Sequence, residues 1–198
     1  MTVLTESPAG QAPEWLAAEM PPGYQTRLLE IQRLSADLQG MDRIGRVLWE
    51  TGGALRGAIG ELFGALKCAV ELEPGAVVPI AVRLDLARRL LLIVSDSPGP
   101  IQKTDEELAT AFRALQFAAA GDRVVLVPGN EPATPPAGRP EPVHPDALDV
   151  MRRMGVAAIT TPDLFRLWRL SHEDPKKARQ ALDRLHALDG GVFALSAR

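Results

Sequence analysis

Two carboxylates and a lysine, Asp85, Asp96 and Lys103, fall close together along this chain. Two carboxylates can hold Mg2+ beside a phosphate, and a lysine can orient or activate the attacking water. This trio is therefore the candidate for metal-dependent phosphodiester cleavage. Its positions also have a plainer explanation. Asp85 precedes a turn, Asp96 begins one and Lys103 stands at a helix entrance, where such side chains are solvated or cap backbone groups. The other reactive residue types offer less. His144, His172 and His186 have no partner at i+4 or at any short spacing that a zinc site uses. Cys68 stands alone, which excludes an intramolecular disulfide and a cysteine-cluster metal site, and it reads as a small buried apolar residue. The serines lie in no nucleophile elbow, and no glycine-rich string offers a phosphate cradle. The sequence implies no cofactor and no metal.

The elements that must position the trio are read from hydrophobic periodicity. Tyr24 to about residue 50 carries Leu28, Ile31, Leu34, Leu38, Met41, Ile44 and Leu48 at three- and four-residue steps, a long amphipathic helix that Gly40 and Gly45 weaken and can split. Thr51-Gly-Gly marks a break and an N-cap before a second helix with Leu55, Ile59, Leu62, Phe63 and Leu66 on one face. The period then shortens to about two, giving strands over residues 68–73, 79–85 and 90–95, with turns at Pro74-Gly75 and around Ala87 to Arg89. The third strand is apolar on both faces and should be central. A helix from the acidic turn after Thr104 to near Gly121 leads to a further buried strand from Arg123, the pattern of a parallel crossover. Seven prolines between Pro128 and Pro145 mark an extended surface loop. A short helix over 146–154 and a strand over 156–160 follow. Thr161-Pro162-Asp163 reads as an N-cap with proline at the first helical position, opening helices over about 163–171 and 175–188 before a small apolar end, 191–195.

The chain has 198 residues, 46% of them hydrophobic, and a net charge of −3. That is enough for one real core and gives no overall field that would attract nucleic acid. Residues 1–23, with four prolines and little periodicity, read as a disordered tail. The expected organisation is this tail, the helix over 24–50 and an α/β domain over 51–198. No apolar run approaches the roughly 18 residues that span a bilayer, and the N-terminus lacks a basic stretch followed by an apolar one, so no membrane is implied and a cytoplasmic location is expected.

The segments GRVLWETGGALRGAIGELFGAL and RVVLVPGNEPATPPAGRPEPVHPDALDVMRRMGVAAITTPDLFRLWR, together with the order helix, three strands, helix, strand, helix, strand, resemble the restriction-endonuclease-like, or PD-(D/E)xK, superfamily, in particular its bacterial members. The resemblance covers roughly residues 44–195. It implies a three-layer α/β core, with a mixed sheet of about five strands flanked by helices, preceded here by the N-terminal amphipathic helix. Members that cut DNA place an acid on the second strand and an acid-x-Lys triplet on the third. Aligned on Ser97-Pro98-Gly99-Pro100-Ile101, this chain puts Ile93 where the second acid would stand and Ser95 where the lysine would stand. Around Val78 to Ala81, where the first acid would fall, there is none. Without carboxylates nothing offsets the dehydration of Mg2+. The resemblance therefore implies a degenerate site and a non-catalytic binding or assembly module. The alternatives are a nuclease using the displaced acids Asp85 and Asp96 with Lys103, and a protein that binds nucleic acid without cutting it.

Arg152, Arg153, Lys176 and Lys177 are the basic residues best placed to meet phosphates, yet acids are interleaved with them, so weak or no nucleic-acid binding is expected. The stronger indication is the helix over 24–50. Leu28, Ile31, Leu34 and Leu38 form a stripe suited to a protein partner or to self-association as a short coiled coil.

Overall fold

The computed structural model describes residues 19–72, 78 and 80–195. Residues 1–18 of the expected tail and the Pro74-Gly75 turn lie outside the described residues. The chain divides into two compact units, Met1–Met41 and Asp42–Arg198. The described part of the first is almost wholly helix α1, Tyr24–Gly45. It continues through Gly40 without the break that glycine invites. A single glycine costs about 1 kcal/mol, which the residues around it tolerate. Leu28, Ile31, Leu34, Leu38 and Met41 are exposed, and Ile44 is buried.

The second unit is an α/β fold around one six-stranded mixed sheet in chain order. A 3-10 turn, Arg46–Leu48, precedes α2, Gly52–Ala65, which begins after Thr51 in extended conformation. Its Leu55, Ile59, Leu62 and Phe63 are fully buried, as their spacing on one face requires. Strands β1 (Ala69–Leu72), β2 (Ile80–Arg83) and β3 (Arg89–Pro98) form an antiparallel meander. Helix α3 (Glu106–Phe117) crosses to β4 (Asp122–Gly129), which pairs parallel with β3. Helix α4 (Pro145–Met154) crosses to β5 (Ala157–Ile159), parallel to β4. Helices α5 (Thr161–Glu173) and α6 (Pro175–Ala187) then lead to β6 (Gly191–Phe193), parallel to β5. The sheet thus has one strand more than the five expected. The small apolar end pairs as β6, a segment of three residues.

Alternation along the central strands explains the three layers. Leu90, Leu92, Val94, Val125, Val127 and Ile159 pack with α2, α5 and α6. Leu91, Ile93, Val124, Leu126 and Ala158 point the other way, onto α3 and α4. Both faces of β3 and β4 are therefore covered, which is why their sequences are continuously apolar. Helices α3 and α4 share one face while α5 and α6 lie on the other, although the strand order keeps running in one direction. The connection through α5 and α6 consequently has the opposite hand to the two before it.

The start of α5 differs by one residue from expectation. Thr160, not Thr161, is the N-cap: its Oγ1 accepts from Asp163 N at 3.2 Å and donates to Asp163 Oδ2 at 2.8 Å. This reciprocal pair satisfies an orphan amide of the first turn. The proline-rich loop between β4 and α4 contains a 3-10 turn, Pro136–Gly138, and is tied down by a parallel bridge between Ile101 and Val143.

Candidate functional site

Strand β3 carries Ile93 and Ser95, the positions expected from the sequence to stand for an acid and a lysine. Ile93 and Ser95 alternate with Leu92 and Val94 and so face α3. Ile93 is buried in the apolar layer beneath α3 and α4. Ser95 is buried as well, and its Oγ donates to Glu107 Oε1 at 2.6 Å, while Ser97 N donates to Ser95 Oγ at 3.2 Å. Val78, Ile80 and Ala81, the described residues where a first acid would fall, are all apolar. Glu107 is the carboxylate that reaches this point of the strand. The sequence marks it only as an acid in the first turn of α3, where it complements the helix dipole.

The structure does not bring Asp85, Asp96 and Lys103 together. Asp85 lies in the turn before β3 and Asp96 near the far end of that strand, seven residues beyond Arg89. At about 3.3 Å per residue this separates the two acids by roughly 20 Å, far beyond the span of one cation's ligands. Each acid is also engaged elsewhere. Asp85 Oδ1 accepts from the backbone amides of Ala87 and Arg88 at 3.0 and 2.9 Å, and Asp85 Oδ2 accepts from Arg88 Nε at 2.7 Å. Arg179 Nη2 adds an ion pair at 3.4 Å. Led by the Arg88 hydrogen bond, these contacts lower the Asp85 pKa to about 2. Asp96 Oδ1 accepts from Arg56 Nη1 at 2.6 Å. Lys103 is exposed between β3 and α3. No group of three or more His, Cys, Asp or Glu side chains suited to a metal occurs among the described residues.

The basic residues separate in the same way. Arg152 and Arg153 belong to α4 and Lys176 and Lys177 to α6, helices on opposite faces of the sheet. Arg152 pairs with Asp149 at 3.6 Å and Lys177 with Asp174 at 3.4 Å. The four do not form one surface. The histidines are scattered too: His172 stands edge-on to Trp168, 4.9 Å between centroids, and His186 Nε2 lies 3.0 Å from the Gly121 carbonyl oxygen. Cys68 is buried, and burial raises its pKa.

A polar knot that sequence reading missed sits beyond the carboxyl end of β4. Asn130 is fully buried, and its Nδ2 donates to the carbonyls of Val47 and Glu50 at 2.8 Å each. Asn130 Oδ1 accepts from Arg139 Nη1 and from Thr161 Oγ1, both at 2.6 Å. Arg139 Nε donates to the Thr134 carbonyl at 3.1 Å and Nη2 to that of Leu48. One arginine thereby fastens the proline-rich loop to the 3-10 turn and to the start of α5. The available signal was an asparagine directly after a buried strand, followed by a lone arginine among prolines. Comparison of the chain with family models, curated proteins and solved structures finds no match.

Proposed function

We propose that this chain is a non-catalytic binding or assembly module built on a restriction-endonuclease-like core, with α1 as its interaction element. The observation that carries the reading is the state of β3. Ile93 and Ser95, which the resemblance aligns with an acid and a lysine, are packed against the α3 layer, while Asp85 lies in the turn before the strand and Asp96 near its far end. A cation held beside Ile93 and Ser95 would meet one carboxylate, Glu107, already engaged by Ser95, too few to offset its lost hydration. The exposed stripe of α1 supports the second half of the reading. Burying each of Leu28, Ile31, Leu34 and Leu38 is worth roughly 1.5–3 kcal/mol, enough for a micromolar contact after the cost of association. Basic residues split between the two faces of the sheet favour weak nucleic-acid binding at most. No helix among the described residues is long and apolar enough to cross a membrane.

Light scattering and a thermal melt on the full chain test the role of α1. The Ile31→Glu, Leu38→Glu double variant is expected to abolish self-association or partner capture while leaving the main melting transition nearly unchanged. A monomeric wild type combined with a destabilised variant would assign the stripe to packing instead.

A further inference from the structure

The connections leaving β4 and β5 part company. The chain after β4 runs to α4 on one face of the sheet, and the chain after β5 enters α5 on the other. In an open α/β sheet such divergence leaves a crevice outside the carboxyl ends of the strands, the usual place for a ligand. A cleft of about 140 Å³ lies there, walled by Gly99, Pro128, Gly129, Thr160 and Thr161. Backbone is bare at Gly129 by necessity, since a Cβ would meet the Ser97 carbonyl oxygen at 2.2 Å. A cavity near 150 Å³ holds a molecule about the size of benzene.

Four charged side chains border the cleft, Glu131, Arg139, Glu141 and Arg166. Glu131 Oε1 lies 3.8 Å from the position of a Cβ on Gly99, and Glu141 precedes Pro142, whose carbonyl accepts from Ile101 N at 3.0 Å. Both acids therefore stand on the β3 side. Arg139 Nη1 lies 3.3 Å from Thr161 Oγ1, and Arg166, paired with Asp163 at 3.0 Å, belongs to α5, so both cations stand on the β5 side. The two sides are two strand spacings apart, about 10 Å, a gap that inward-reaching side chains shorten. Arg139 is held by the oxygens of Leu48, Thr134, Asn130 and Thr161, all of them neutral. Desolvation lowers its pKa, against the pull of the nearby Glu131 carboxylate, which raises it.

We propose that this cleft binds a small dipolar molecule of free amino-acid size, its carboxylate toward Arg139 and Arg166 and its ammonium toward Glu131 and Glu141. The site is independent of α1 and stands or falls apart from it. The test is an amide-resonance titration of the full chain with each of the common free L-amino acids in turn, up to about 10 mM, which covers micromolar to millimolar affinities. At least one is expected to give saturable shifts at Gly99, Gly129 and Thr161. Its N-acetyl and carboxamide derivatives, each lacking one charge, should bind about tenfold more weakly or worse. Because Arg139 also fastens the loop, the charge tests use Arg166→Gln and Glu131→Gln, each expected to weaken binding by a similar factor with a near-native melt. Absence of saturable shifts with every amino acid overturns the proposal. So does equal binding of the derivatives, or unchanged affinity in both variants.

Discussion

The Asp85 carboxylate accepts from two backbone amides and from Arg88, and its pKa falls to about 2. An aspartate in an unfolded chain titrates near 3.9. The lowered value means that these contacts stabilise the fold fully above about pH 4 and that the contribution disappears as pH drops towards 2. Asp85→Asn should therefore be less stable than wild type at neutral pH, with the gap closing between about pH 4 and 2. Denaturant midpoints across that range measure it, and a gap independent of pH would contradict the assignment. Asn130 presents a different case, because it is buried and its amide meets four partners. Asn130→Ala leaves two carbonyls, a hydroxyl and a guanidinium without it, and should cost about 2–4 kcal/mol by urea unfolding.

The β3 and β4 pair is the element on which the domain depends, and its two ends are closed by glycines rather than by side chains. A Cβ on Gly121 would meet the Ala87 carbonyl oxygen at 1.8 Å, and one on Gly129 the Ser97 carbonyl oxygen at 2.2 Å. Backbone cannot yield as a flexible side chain does, so Gly129→Ala should destabilise by about 2 kcal/mol or more, which a thermal melt would show. The apolar runs of these strands, the helical spacing of α2 and the capping signal ahead of α5 made them legible from the sequence. Short or ambiguous segments were not. β6 has three residues, Gly191–Phe193, and Gly190 precedes it and Gly191 opens it, so it reads only as a small apolar end. The sequence places the N-cap of α5 one residue late, at Thr161, because only the Thr160 pairing with Asp163 identifies the capping residue. Gly40 suggested a break that local propensity alone does not decide.

For the whole molecule, proximity along the chain and proximity in space separate. Asp85, Asp96 and Lys103 lie close together in sequence, yet β3 itself drives the two acids apart, because an extended strand converts a few residues into roughly 20 Å. The knot of Asn130, Arg139 and Thr161 shows the converse. Its members and the carbonyls of Val47, Leu48 and Glu50 come from segments far apart in sequence, so no local pattern announced them. The proposed non-catalytic role requires that this fold carry no metal-dependent cleavage chemistry. Calorimetry of the full chain with Mg2+ and Mn2+, run beside a plasmid-nicking assay in the same ions, tests it most directly. No saturable heat and no nicking above the metal-only control are expected. Metal-dependent nicking that is abolished by Asp85→Asn or Asp96→Asn would contradict it.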